Sequence, residues 1–173
     1  MLRSGQSIVL IGFMGAGKSS TGRALARRTG LPRFDTDEIV SARFDLPVTE
    51  IFARFGEERF RDAETEALEQ LADAATAIIV TGGGIVLRTA NVRLLQRLGK
   101  IVSLEADEET LFRRISRRAT RPLLHTENPR ATLVKLLRVR EPLYREAADV
   151  RLDTSRLTHD EVAEAILKSL EKL

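Results

Sequence analysis

Apolar positions along the chain follow two rhythms that alternate. Short runs of consecutive β-branched and apolar residues, the first being Ser7 to Ile11 (SIVLI), predict strands buried on both faces. Between them lie longer stretches with apolar residues three or four apart, the spacing of a helix with one packed side. Read this way, the pattern predicts a strand over 7–11 and a helix over 18–29 that stops at Gly30, a residue suited to ending a helix. A short strand should then reach Asp35. The segment 47–75 is helical with a break at Gly56. Strands over 77–81, 100–104 and 150–152 alternate with helices over 91–98, 107–117, 130–147 and 158–173, and the stretch leading to Asn128 reads as a loop. In the last helix Val162, Ile166 and Leu170 keep the i, i+4 spacing of a core face rather than a membrane-binding one. The expected fold is a three-layer α/β/α sandwich around a central, mostly five-stranded parallel sheet, with ligands at the carboxyl ends of the strands.

Composition narrows the chemistry. At 173 residues, without linker, repeat or low-complexity segment, the chain suits one domain spanning 1–173. The absence of cysteine removes disulfides, thiolate zinc sites and a cysteine nucleophile. Two distant histidines, His125 and His159, make a histidine metal site improbable, so a metal here should be a hard cation held by oxygen. A net charge of +3 favours anionic partners, among them polyphosphates and acids. No apolar run is long enough to span a bilayer. Arg3 followed by IVLIGFMGAG imitates a signal peptide, but cleavage there would remove the most informative motif in the chain. That motif also begins too early to leave room for a transit peptide, so the expectation is a cytoplasmic protein that binds neither membrane nor nucleic acid.

The motif is Gly12-Phe13-Met14-Gly15-Ala16-Gly17-Lys18-Ser19, a match to G-x-x-x-x-G-K-[ST] between a predicted strand and a predicted helix. Glycines let backbone N–H groups converge on a phosphate, and the helix N-terminus adds its partial positive charge. Lys18 can reach the β- and γ-phosphates, and the Ser19 hydroxyl can ligate magnesium. From ordinary residue frequencies the match arises by chance in roughly one chain of this length in a few hundred. A second glycine run, Thr81-Gly82-Gly83-Gly84, follows the strand over 77–81 and so faces the same end of the sheet.

Asp35 and Asp37 stand one residue apart. In an extended segment they would point to the same side, so both could face the phosphates if the strand carried past Asp35. One could orient magnesium while the other accepts a hydrogen bond from an alcohol and helps remove its proton. Equally, Asp37 could cap a helix beginning near Glu38. Arginines that could grip an acceptor carboxylate occur in GEERFR (56–61) and REPLY (140–144).

Taken together, GFMGAGKSSTG, DTD, GEERFR, TGGG, RPLL (121–124) and R-x-P-L-Y resemble shikimate kinase, in that family's order and over essentially the whole chain. The resemblance implies a P-loop kinase fold and transfer of the γ-phosphoryl of ATP to the 3-hydroxyl of shikimate, a step of aromatic amino acid biosynthesis. It places Gly15, Ala16, Gly17, Lys18, Ser19 and Ser20 on the nucleotide, with Arg114 on the adenine and Arg121 in a lid over the phosphates. Ser19 and Asp35 would hold magnesium. Asp37 would position the attacking hydroxyl, and Arg61 and Arg140, with Gly82, Gly83 and Gly84, would bind the rest of shikimate. Lys18, Asp37 and Arg121 would be the catalytic set. The substrate-binding segment would span about 35–62 and the lid about 116–128, in a protein expected to be a monomer. Phe52 and Phe60 suit either a wall near the ring or an ordinary core.

Other readings fit less well. Arg113, Arg114, Arg117, Arg118 and Arg121 could form a nucleic-acid stripe, but no aromatic residues are interleaved. A gluconate or nucleotide kinase would share the scaffold without needing the arginine pair and TGGG. A GTPase would carry an N-K-x-D motif, which is absent. A ligand-binding module of a transcriptional regulator would be marked by a fused domain or a damaged catalytic set, and neither is found.

Overall fold

The computed structural model describes residues 6–72, 74–117 and 126–172. Five parallel strands form one sheet: β1 (Ser7–Ile11), β2 (Arg33–Asp35), β3 (Ile78–Val80), β4 (Gly99–Glu105) and β5 (Val150–Asp153), in the order β2-β3-β1-β4-β5. The central strand is the apolar run that opened the sequence. Every residue of β1 is buried, with Ile8 beside Ile78 on one flank and Lys100 on the other. At the edge, β5 alternates half-buried and exposed residues, as a strand with one covered face should.

Among the described residues, seven helices cover the sheet. α1 (Lys18–Thr29) packs on β1, β2 and β3 and against α7 (His159–Leu170). α2 (Thr36–Phe44) and α3 (Val48–Leu71) pair beyond β2, and α3 continues onto α4 (Thr89–Leu98), which lies against β1 and β4. α5 (Glu108–Ser116) packs on α6 (Pro129–Ala147), which also touches β4. Right-handed crossovers put α1 on one face and the helices from α3 to α6 on the other.

Local chemistry accounts for the boundaries. Gly30 caps α1 in the left-handed conformation, its N–H returning to the Ala26 carbonyl. Gly56, at φ 80°, breaks α3 where a bend was expected. Asp107 caps α5, and Thr158 with Glu161 forms a reciprocal capping box on α7. α6 runs through Pro142 as one helix. The β2 region departs from expectation. The strand stops at Asp35 and α2 starts at the next residue, because the Asp35 carboxylate accepts the Asp37 N–H and caps the helix itself. Asp37 therefore lies in the first turn of a helix, neither on an extended strand nor in the capping position.

The strand order creates the site. The chain leaves β1 toward α1 on one face and leaves the adjacent β3 toward α4 on the other. Their exits diverge, opening a crevice at the carboxyl end of the sheet. Both glycine-rich motifs lie on its rim.

Candidate active site

The loop after β1 is shaped by positive φ at Gly12, Gly15 and Gly17. At Gly12 a side chain is excluded twice over, since a Cβ would also lie 2.3 Å from the Leu104 carbonyl oxygen. Lys18, 9% exposed, donates from Nζ to the carbonyls of Gly12 at 2.7 Å and Phe13 at 3.1 Å, so its ammonium is folded across the loop. Ser20, one residue past Ser19, accepts from Arg23. The Thr154 hydroxyl donates to the carbonyls of Ala16 and Glu105, tying the loop to the end of β5.

Arg114 donates to the Gly15 carbonyl at 3.3 Å and to the Thr154 carbonyl at 2.8 Å. Burial lowers its pKa from the ordinary guanidinium value, with the charge of Arg113 next. It braces the loop after β1 against the chain just past β5. Arg121, Arg118, RPLL and His125 lie outside the described residues, as does most of the expected lid. Arg117 caps α5 and is exposed, and Glu141 pairs with Arg145 on its own helix.

Where α1 meets β2, a hydroxyl and a carboxylate come together. Ser19 Oγ lies 3.4 Å from Asp35 Oδ2, and Arg33 lies at 3.4 Å from the same oxygen. Burial raises the Asp35 pKa and the neighbouring Glu38 charge adds to this, against the Asp37 N–H and Arg33. A desolvated carboxylate beside a hydroxyl fits a magnesium ion that takes its remaining ligands from phosphates and water. Among the described residues no group of three or more acidic, histidine or cysteine side chains is placed to hold a cation alone.

The loop after β3 gathers a second set of charged side chains. Its first glycine N–H is engaged: Gly82 donates to Thr36 Oγ1 at 3.1 Å, linking TGGG to DTD. A Cβ on Gly82 would lie 2.5 Å from Asp37 Oδ1 and 2.7 Å from Glu64 Oε1. A Cβ on Gly84 would run into the Arg61 guanidinium. Gly82 and Gly84 thus make room for two carboxylates and a guanidinium. Arg61 is 7% exposed, paired with the fully buried Glu64 and with Glu57 at 3.0 Å, and its guanidinium carbon lies 5.3 Å from the Phe60 ring centroid. The Phe52 and Phe60 rings lie tilted beneath it with centroids 4.5 Å apart, and both pack in the core cluster around Ile51. Arg140 reaches over the Phe13 ring from α6, and Tyr144 donates to the Gly83 carbonyl.

Lys18, Asp35, Asp37, Arg61, Arg140 and the two glycine loops therefore border one crevice. Two residues escaped sequence reasoning. Glu64 follows Arg61 by three positions, a spacing that on a helix reads as a solvated ion pair until both partners are seen to be buried. Tyr144 closes the R-x-P-L-Y motif, and only its hydroxyl contact marks it as more than core.

Comparison with known proteins gives a consistent result. A family model for shikimate kinase matches residues 14–171. A shikimate kinase of Thermodesulfovibrio yellowstonii is 44% identical over 97% of this chain and 96% of its own, and one of Moorella thermoacetica is 47% identical over 95% and 94%. Among solved structures, shikimate kinase from Acinetobacter baumannii in complex with shikimate has a TM-score of 0.92 at 35% identity, covering 96% of this chain and 93% of that one. A gluconokinase from Sinorhizobium meliloti has a TM-score of 0.62 at 21% identity, a likeness of fold alone. The chain belongs to the shikimate kinase family.

Proposed function

We propose that this chain transfers the γ-phosphoryl group of ATP directly to the 3-hydroxyl of shikimate, using the two sides of the β1/β3 crevice for the two substrates. The activity is that of its family, an ATP-dependent kinase of aromatic amino acid biosynthesis. One observation carries the assignment of sides: TGGG approaches Asp37, Glu64 and Arg61 so closely that a Cβ at Gly82 or Gly84 would collide with them.

On the donor side the N–H groups of 15–20 and the Lys18 ammonium cradle the phosphates, with Arg114 at the nucleotide end of the loop. Ser19 and Asp35 would hold a magnesium ion, which would supply charge neutralisation at the transferring phosphates. On the acceptor side Arg61 and Arg140 grip the shikimate carboxylate as paired donors. Gly83 and Gly84 contribute backbone contacts, while Gly82 acts through its bond to Thr36. Asp37 accepts a hydrogen bond from the reacting hydroxyl, aligns it with the γ-phosphorus and receives its proton as the new P–O bond forms and the bond to ADP breaks. Lys18 and Arg121 spread the charge of the transferring group. We also read the chain as one domain over 1–173, with a substrate-binding segment at about 35–62 and a lid at about 116–128 that excludes competing water. On this reading it works as a cytoplasmic monomer without nucleic acid or membrane partners. Among the described residues no helix is long and apolar enough to cross a membrane.

Asp37→Asn separates the two sides. Turnover should fall by about a hundredfold to ten-thousandfold, with Mg-ADP affinity from calorimetry within about threefold of the unaltered protein. Near-normal turnover would remove Asp37 from the mechanism.

A further inference from the structure

Tyr144 is the only tyrosine in the chain, 3% exposed on the covered side of α6 and one turn beyond Arg140. Phenylalanine would fill nearly the same volume, so packing alone does not call for the hydroxyl. Burying a phenolic oxygen is unfavourable unless it is hydrogen-bonded. Here it is bonded on the Gly83 side, where the O–H donates to the carbonyl. On the other side Arg140 stands one turn before Tyr144 on the same helix, over the Phe13 ring. Burial pushes the phenol's pKa up to about 12, and the nearby Arg140 charge opposes this. The one proton goes to the loop after β3, which leaves the oxygen's lone pairs to face the guanidinium. The Gly83 carbonyl and the Gly84 N–H belong to one planar trans peptide, so holding the carbonyl on Tyr144 directs that N–H the opposite way. Gly84 is the residue lying against the Arg61 guanidinium. Gly83 in turn sits close to the first loop, a Cβ there lying 3.4 Å from the Met14 nitrogen.

We propose that Tyr144 is a positioning residue for the acceptor carboxylate: its hydroxyl holds Arg140 and the Gly83–Gly84 peptide in one mutual arrangement, so that donors from α6 and from the β3 loop meet the same anion. This rests on the reading of Arg140 as a carboxylate grip. It adds a specificity role to the last residue of R-x-P-L-Y.

The test compares Tyr144→Phe, Arg140→Ala and the unaltered protein on shikimate and on its methyl ester, whose carboxylate is blocked. Thermal unfolding and Mg-ADP affinity monitor the fold and the donor side. Tyr144→Phe should raise the KM for shikimate about tenfold, the loss expected for one hydrogen bond to a charged group. It should raise the KM for the ester less than about twofold, because an effect exerted through Arg140 disappears with the anion. Arg140→Ala should raise the shikimate KM about a hundredfold and the ester KM far less. Equal increases for acid and ester in Tyr144→Phe, or no increase for the acid, overturn the positioning role while leaving the grip intact. If Arg140→Ala treats acid and ester alike, the grip itself fails and the positioning role falls with it. Should Tyr144→Phe not fold, the unaltered protein still decides. With no tryptophan present, its emission comes from Tyr144. That emission should change on saturation with shikimate and not with the ester, and equal responses to both overturn the proposal.

Discussion

Glu64 shows how much of this site is decided by single buried charges. Its side chain is fully covered, one oxygen paired with Arg61 and the other, Oε1, beside the Asp37 carboxylate at Gly82. Burial pushes its pKa up to about 7, Arg61 opposes this by charge and hydrogen bond, and Asp37 adds to the rise. Because the folded value lies above the ordinary 4.5, the native protein keeps a proton that the unfolded chain has released within that window. Stability contributed by the group is therefore present below about pH 4.5 and declines as the pH rises through about 7. Glu64→Gln cannot titrate. Between about pH 5 and pH 8 its unfolding free energy should gain on that of the unaltered protein by something on the order of 2 kcal/mol. Parallel denaturant titrations check this, and a pH-independent difference would contradict it. The same variant should bind shikimate more weakly, since Arg61 loses its buried partner. None of this was legible in the sequence, where Glu64 is one acid among many on a charged helix. The pairing is visible only once Phe60, Ala63 and Ala67 are seen to turn that face of α3 inward.

At the level of elements, two glycine loops do different work, and substitution should tell them apart. Gly12 combines a φ of 138° with a backbone carbonyl 2.3 Å from any Cβ. Neither can yield, so Gly12→Ala should cost about 3 kcal/mol or more and damage the nucleotide site. Gly84 has no such φ, and its obstacle is the end of the Arg61 side chain. Gly84→Ala should cost about 1 kcal/mol of stability while displacing the guanidinium, raising the shikimate KM about tenfold and leaving Mg-ADP binding unchanged. Chemical denaturation and steady-state kinetics on the pair distinguish these outcomes. Equal losses of stability would contradict the distinction. The elements carrying these loops were readable because their signals are local: an unbroken apolar run for β1, Gly30 ending α1, Gly56 bending α3. The DTD segment was harder, since strand alternation and helix capping both suit aspartate. The outcome turned on which aspartate caps. Asp35 does, and Asp37 reaches the crevice from the first turn of α2.

For the molecule as a whole, the site is a consequence of strand order. β1 and β3 are neighbours although 66 residues and three helices separate the end of one from the start of the other. Periodicity marks strands without saying which lie side by side, so the crevice could be anticipated as a feature of parallel sheets but not drawn from the sequence alone. The sheet itself belongs to the fold, as the likeness to a gluconokinase illustrates. On the proposed reading, acceptor choice falls to parts converging from four places: Asp37 on α2, Arg61 and Glu64 on α3, the glycines after β3, and Arg140 and Tyr144 on α6. On that reading a donor side built on the first loop meets an acceptor side built from these parts. The most direct measurement is ADP release from Mg-ATP with shikimate, quinate or gluconate as acceptor, with the product identified by mass spectrometry. Rapid release is expected with shikimate, with a product heavier by one phosphoryl group, and little stimulation by gluconate. ADP release that no acceptor stimulates, or that gluconate stimulates as strongly as shikimate, would contradict that reading.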